Sequence, residues 1–433
     1  MTFSEEQVIA LAPDAGSVKS GKDLATASKW GLLCVSDKAL WGECQGSGKL
    51  PYQAQVDLNN LAFKCSCPSR KFPCKHGLAL LLLYVRDATR FSRSAEPEWV
   101  TQWIDKRAEK VEKKSEQKEK PVDAEAQAKR SEARARKIAD GIDDLQVWLK
   151  DLVRNGLLSV PERAYDFWQT PSKRMIDAQA PGLAAMLRGL GKINYYGADW
   201  QYELLSKLTR IYLATEAYKQ LNSLPQDWVE EVKSLIGFTQ SKEELLAQPG
   251  VRDTWQVLSR TYVEEEQITI ERNWLYGTNT GRYALILQFI AKAQVPELNL
   301  MPGTSVDAEL VFYKGVNPLR ALMKTQHSVG PFSITGVYND FNAALQALSD
   351  SVSQNPFLDS VPVLMNNVSF YKQGSDCYLV DEKGECIKVR SHQPRDLYLL
   401  SITGGMPFNM FLQASETEFE PLSLWADKKY YVI

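Results

Sequence analysis

The sequence is poor in cysteine and histidine, with seven and three in 433 residues. That is too few thiols for a disulfide-stapled scaffold. Long apolar runs are also missing. The longest, Leu78 to Val85, falls far short of the roughly 20 residues a membrane helix requires, so no membrane span is expected. Neither charge is in surplus, the formal net being −2, which excludes a chain that is basic throughout. Nor does the chain have the bias of a disordered one, since 44% of residues are hydrophobic and 24% charged, the proportions of an ordinary globular protein. The opening MTFSEEQVIALAPDAG carries acids early and no charged-then-apolar pattern. No secretory leader is expected from it, and the expected compartment is cytoplasmic and reducing.

What is present is unevenly spread. Residues 61–93 hold seven cations, Lys64, Arg70, Lys71, Lys75, Arg86, Arg90 and Arg93, against one acid, Asp87. Residues 105–139 hold twelve basic and eight acidic side chains, Pro121 and almost no large apolar group. Such a stretch has no face to bury and reads as a solvated helix or a disordered spacer. The helical spacing of Glu109/Lys113 and Glu116/Lys120, with Glu112 and Lys114 continuing the pattern, favours helix before Pro121. Ahead of it, Ala39–Cys44 and Tyr52–Leu58 alternate as strands do, and Gly77–Tyr84 opens a helix running to about Arg90.

Beyond the spacer, Ile142, Leu145, Trp148, Leu149, Leu152 and Val153 mark one amphipathic helical face. Leu204, Leu205, Leu208, Ile211 and Tyr212 mark another, and Ser241 with Glu244 fits a capping box. From about 253 the texture is β-branched and aromatic, broken by one helix near Asn339–Ser351. The expected architecture is α+β and multidomain. It comprises residues 1–95 with a small ββα zinc module at about 40–90, a charged helical spacer at 96–140, a helical region at 141–250 and a strand-rich mixed α/β domain at 251–433.

The sharp chemical signal is Cys65-Ser-Cys67-Pro-Ser-Arg-Lys-Phe-Pro-Cys74-Lys-His76, or C-x-C-x6-C-x-H. Structural zinc takes four tetrahedral nitrogen or sulfur ligands, and three thiols with one imidazole complete that count. Pro68 and Pro73 stiffen the intervening loop. Cys74 and His76 fall at the start of a helix, whose amide dipoles favour a thiolate. Buried cysteines packing as small hydrophobes would want an apolar wall, but Ser66, Ser69, Arg70, Lys71 and Lys75 surround these. A shell closed by four protein ligands leaves no position for water, which argues for structure over catalysis.

This pattern, preceded by two short strands and followed by an apolar helix, resembles the SWIM-type zinc finger. The likeness rests on Trp41-Gly42-Glu-Cys-Gln-Gly-Ser-Gly48, Tyr52, Asp57, Cys65–Lys71 and Pro73–His76, and covers roughly residues 30–90. It implies zinc held by Cys65, Cys67, Cys74 and His76, a role in binding DNA or protein, and no catalytic residue. The longer layout is similar to bacterial SWIM proteins, which implies a MoxR-type AAA ATPase and a von Willebrand A-type protein as partners. Lys64, Arg70, Lys71, Lys75 and Arg86 are the candidate contacts to a nucleic acid or an acidic partner. With four cations engaged on duplex DNA, the log–log salt slope would be about −3 to −4. Phe63, Phe72 and Tyr84 read as core packing rather than base-stacking platforms.

Other signals carry no chemistry of their own. Cys34 and Cys44 read as half-buried strand residues, and Cys377 and Cys386 as a buried thiol pair facing across a hairpin at Glu382-Lys-Gly384. GlyThrAsnThrGly at 277–281 lacks a following Lys-Ser/Thr and a helix, so it reads as a hairpin turn. Glu264–Glu266 read as charges guarding a strand edge. His327 and His392 stand alone, and no nucleophile motif appears. The chain reads as a non-enzymatic interaction protein, with direct nucleic-acid binding as the alternative.

Overall fold

The computed structural model describes residues 3–46, 50–59, 61–69, 71–116, 124–162, 166–197, 199–265, 268–291, 296–333, 336–358, 360–415, 418–426 and 429–433. It shows the α+β architecture that the sequence implies: an N-terminal strand-and-helix module, a helical middle and a strand-rich end.

The N-terminal module opens with α1 (Glu5–Ile9) and α2 (Ala15–Leu24). A reciprocal box between Ser4 and Gln7 caps α1, and the Asp14 carboxylate caps α2 by accepting from Ser17 N–H, so donors that would otherwise face no partner are satisfied. Strands β1 (Trp30–Val35), β2 (Ala39–Cys44), β3 (Tyr52–Asp57) and β4 (Ala62–Cys65) follow, then α3 (Lys75–Arg86) and the short β5 (Ser92–Arg93). Their sheet runs β4-β3-β2-β1-β5. The two strands legible in the sequence are β2 and β3. The others escape because β4 has four residues, β5 two, and β1 (WGLLCV) no clean alternation. Gly42 is required by close approach, since a Cβ there would lie 2.7 Å from the Leu32 carbonyl. Cys34 and Cys44 are buried in β1 and β2.

The charged region is helical on both sides of Pro121. Helix α4 (Glu98–Glu116) puts Val100 and Trp103 in the interior, with Val100 against Cys34, Ala39 and Trp41 on the back of the N-terminal sheet. Pro121 and the proposed Glu116/Lys120 pairing lie outside the described residues, as do the side chains of Glu109, Glu112, Lys113 and Lys114. Helix α5 (Ala124–Arg154) runs unbroken through residue 140, where spacer was expected to give way to a separate helical region.

With α6 (Asp166–Asp177), α7 (Pro181–Leu190), α8 (Trp200–Lys219), α9 (Gln226–Ile236) and α10 (Lys242–Leu246), α5 completes the helical middle. Ile138, Ile142, Leu145, Leu149 and Leu152 meet Leu183, Leu187, Leu204, Leu208, Ile211 and Val232 in one core. Val153 and Leu205, expected on the buried faces, are exposed instead, because each sits one step past the stripe that faces the neighbouring helices. No described helix is long and apolar enough to cross a membrane.

The C-terminal part holds two sheets. In the first, β6 (Val251–Glu265), β7 (Ile268–Gly277), β8 (Tyr283–Ala291), β9 (Thr304–Phe312) and β10 (Ala321–Pro331) are ordered β10-β9-β6-β7-β8. The sheet curls until β8 meets the approach to β10, where Leu285 donates its N–H to the Leu319 carbonyl at 2.7 Å. The 277–281 segment is the β7–β8 turn, and Asp253 holds it by accepting from Asn279 N (3.1 Å), Thr280 N (2.8 Å) and Thr280 Oγ1 (2.7 Å). Burial alone would raise the Asp253 carboxyl, but these bonds hold it below its ordinary range. Glu264 lies beyond Gln256, where β9 ceases to pair, so β7 alone flanks it. Glu266 lies outside the described residues.

The second sheet runs β13-β12-β11-β14-β15-β16. Its members are β11 (Val361–Gln373), β12 (Asp376–Val380), β13 (Cys386–Val389), β14 (Phe408–Ala414), β15 (Phe419–Ala426) and β16 (Lys429–Val432), with α11 (Phe341–Gln354) and α12 (Gln393–Thr403) against it. Here the expected thiol pair fails. Register sets Cys377 opposite Val389 and Cys386 opposite Val380, at opposite ends of the hairpin, and Cys386 is exposed. The buried Cys377 instead donates to Ser391 Oγ at 3.7 Å. The two sheets pack through Leu258, Trp274, Leu364, Phe411, Leu422, Trp425 and Tyr430.

The N-terminal module is not a free-standing finger. Leu11, Leu40, Val56, Leu61 and Leu78–Leu83 share one core with Trp255, Val257, Leu275, Leu300, Met301 and Val306 of the first C-terminal sheet and its connections. Gln7 donates to the Gly303 carbonyl, Asn299 to that of Leu61 and Gln326 to that of Asn59, which fastens the module at three points. Replacing the fully buried Leu300 by Ala is expected to cost about 2–5 kcal/mol. In urea it should lower the midpoint for zinc release together with that for loss of sheet structure. A zinc-release midpoint that stays put would show that the two parts unfold independently.

Candidate metal centre

Two elements of unlike geometry deliver the four donor atoms. The β3–β4 hairpin carries Cys65 on its outgoing strand opposite Ala54. The chain then turns at Ser66, whose N–H reaches the Gln53 carbonyl at 3.0 Å while its Oγ accepts from Gln53 N–H at 2.9 Å. These bonds extend the ladder by one step and set the direction in which Cys67 leaves. On the other side Cys74 is the N-cap of α3, with extended backbone, and its Sγ accepts from Gly77 N–H at 3.5 Å. A sulfur there occupies the place usually taken by a Ser or Asp oxygen, and the first-turn amides favour negative charge on it. His76 follows in the first turn, and its ring lies 4.9 Å from that of Tyr52.

Sulfur and imidazole atoms of Cys65, Cys67, Cys74 and His76 all lie within 4.8 Å of one another, with Cys65 Sγ 3.8 Å from His76 Nδ1. Tetrahedral zinc with bonds of about 2.3 Å to sulfur and 2.0–2.1 Å to nitrogen sets its ligand atoms about 3.6–3.8 Å apart. The four donors fit zinc with little movement. Cys74 and His76 are buried, Cys65 and Cys67 half-buried. Among the described residues, no other cluster of cysteine, histidine or acidic side chains is gathered closely enough to hold a metal ion.

The donors are electrostatically unequal before metal enters. A hydrogen bond from Cys65 is the main reason that the Cys74 thiol is pulled down to about 4; burial opposes it, while His76 and Gly77 N–H add to it. The same bond raises the Cys65 thiol far above its ordinary value, and burial raises it further. Cys67 is raised, chiefly by burial. In the absence of metal, negative charge is therefore favoured on Cys74 over Cys65, and zinc must displace the protons that remain on sulfur.

The cations expected to form a contact surface are differently disposed. Lys71 is bound to Asp14 at 2.8 Å, and Arg86 pairs with Glu5. Arg90 pairs with Asp87 at 2.8 Å and Arg93 with Asp37. Lys64 and Lys75 are exposed beside the cluster and have no carboxylate partner among the described residues. Arg70 lies outside the described residues. The partners Glu5, Asp14 and Asp37 are distant in sequence from the cations they meet, and nothing in local spacing announces them. Phe63 packs edge-on to Phe72 (6.1 Å between centroids), and Tyr84 to Phe91 (5.2 Å), so these rings serve the interior.

Residues 52–84 match the SWIM zinc finger family, and residues 133–236 match the SWIM-associated four-helix bundle domain. The first match spans β3 through most of α3 and includes all four donors; the second spans most of α5 through α9. No curated protein and no solved structure matches the chain. Together with the geometry, these matches identify a zinc-binding interaction module.

Exchange of Cys67 for Ser is expected to abolish stoichiometric zinc on elemental analysis, and one zinc per chain in that variant would refute the assignment. Adding zinc to the metal-free wild type at pH 7 should release protons, read with an indicator in weak buffer, and the Cys67→Ser variant should release fewer. The sign of the pH dependence follows from the donors. Zinc affinity falls as pH is lowered, because protons compete for sulfur and imidazole.

Proposed function

We propose that the chain is a non-enzymatic adaptor in which the zinc module presents a fixed surface to a partner protein, while the helical and strand-rich parts make further contacts. The observation that carries this reading is the donor set itself. Three thiols and an imidazole close a tetrahedral shell, so the metal shapes the segment and has no position left at which to activate water. The partner implied by the resemblance to bacterial SWIM proteins is a MoxR-type AAA ATPase acting with a von Willebrand A-type protein.

The disposition of charge supports a protein partner over duplex DNA. Lys71, Arg86, Arg90 and Arg93 are already matched to Asp14, Glu5, Asp87 and Asp37, and a phosphate would have to displace a tethered carboxylate at each. Lys64 and Lys75, which have no such partner among the described residues, support a second reading as a direct nucleic-acid binder. With two cations engaged, its log–log salt slope would be no steeper than about −2.

Purification of wild type and the Cys67→Ser variant from native cells should recover an ATPase-containing complex with wild type alone. In parallel, duplex DNA is titrated at two salt concentrations with wild type and a Lys64→Ala/Lys75→Ala variant. Salt-dependent duplex affinity that disappears in the double variant would replace the adaptor reading with the nucleic-acid one. Equal recovery of the complex by both proteins would remove the zinc module from the interaction.

A further inference from the structure

Every β-sheet that does not close must hide or blunt its outer strands, because their outward N–H and C=O groups are templates for pairing. Among the described residues, the outer strands of the three sheets are β4 and β5, β8 and β10, and β13 and β16. Five of these carry a charge: Lys64, Arg93, Lys324, Lys388 and Lys429. In β10 two register shifts and Pro331 blunt the edge further. The exception is β8. Its sequence, YALILQFIA, has no charged residue and no proline, and its pairing with β7 has no bulge.

The direction of its backbone groups follows from one bond. Leu285 points its N–H away from β7, to the Leu319 carbonyl. Alternation along an antiparallel ladder then turns the N–H and C=O of Leu287, Phe289 and Ala291 the same way. Among the described residues no hydrogen-bond partner meets these groups. The face beside this edge is apolar. Val263, Ile270 and Phe289 form one cross-strand row, with Val263 38% and Phe289 54% exposed, and Glu265, Ile268 and Ala291 form the next, with Ile268 45% exposed. The same face continues into Trp274, where the second C-terminal sheet covers it through Phe411. At Leu285 this edge is bridged in parallel to Arg320 and the start of β10 runs beside it; past that bridge the exposed sheet face lies beside backbone groups with no partner among the described residues.

Two guanidinium groups flank the row. Arg272 pairs in register with Leu287, and Arg320, which lies over the Tyr313 ring at 4.3 Å, stands 5.9 Å from the centre of the Phe289 ring. Neither has a carboxylate partner among the described residues. We propose that the edge of β8 is a docking site for an extended, acidic segment of a partner protein, which adds to the sheet as an outer strand. Main-chain bonds to Leu287, Phe289 and Ala291 supply affinity, apolar side chains cover Phe289 and Val263, and carboxylates meet Arg272 and Arg320. A second copy of the chain suits the edge less well. Antiparallel pairing of two β8 edges about Phe289 would bring two Arg320 groups together, and like charges set opposite each other are unfavourable. The site is separate from the zinc module and stands or falls independently of what that module binds.

The test uses the full-length zinc-loaded chain and a short capped peptide of alternating valine and glutamate, at up to about 1 mM. Amide exchange at Leu287, Phe289 and Ala291 is expected to slow at least about tenfold on saturation. A peptide with lysine in place of glutamate should leave exchange unchanged. Phe289→Lys, which gives the edge the charge it lacks while keeping its backbone, should weaken binding at least tenfold with zinc content and circular dichroism preserved. Unchanged exchange with the glutamate peptide, or equal slowing by both peptides, would overturn the proposal. So would a dimer in sedimentation that Phe289→Lys dissolves, which would assign the edge to a second copy.

Discussion

Convergence of four donor atoms between a hairpin and a helix start is the constraint on which the N-terminal module depends. Apolar packing of α3 on β2, β3 and β4 sets their general disposition, and a ligand that binds both elements fixes where the end of the hairpin meets the start of the helix. Here the hairpin supplies Cys65 and Cys67 and the first turn of α3 supplies Cys74 and His76. The amides that open a helix lower the cost of placing a thiolate there, so the cap of α3 and the metal ligand are the same sulfur. The apolar residues behind it, Phe63 and Leu78 among them, then pack against a frame whose corner is already set.

The metal cluster was legible because its evidence is local. Twelve consecutive residues hold all four donors, and ligand chemistry allows few alternatives for three thiols and an imidazole. The change from helical to strand-rich texture near residue 250 was legible for a similar reason, since periodicity is read over short windows. What depends on distant partners was not. The ion pairs Lys71–Asp14 and Arg86–Glu5 join residues far apart in sequence, and they turn an expected contact surface largely into internal neutralisation. Cys377 and Cys386 looked paired by proximity along the chain, but a difference in register separates them. The sharing of one core between Leu61 and Leu300 has no sequence signature at all, since an apolar residue carries no mark of which apolar neighbour it will meet.

That shared core alters what a zinc finger means in this chain. The carbonyl of Leu61, at the tip of the β3–β4 hairpin, accepts from Asn299, which in turn accepts from Arg260 Nη1 at 3.1 Å. Arg260 lies 3.7 Å from the fully buried carboxylate of Glu271, which is also held by Asn273 and Gln288. A buried carboxylate is tolerable only where such partners stay in place. The zinc module therefore rests on a polar network that belongs to the neighbouring sheet, and disturbance of either side removes partners from the other.

Helix α5 has a mechanical consequence. Its thirty-one residues, at 1.5 Å each, make a rod about 46 Å long, rooted in the bundle by Ile138 through Leu152 and steadied by Arg134, which donates to the Gly237 carbonyl and sits over the Phe238 ring. Among the described side chains its contacts with the bundle core begin at Ile138, one turn past Arg134, which places the pivot near Arg134. A rocking of about 5° about that pivot moves Ala124, ten residues or about 15 Å away, through only about 1.3 Å, less than the length of a hydrogen bond, so strain in the bundle reaches the start of the helix with little amplification.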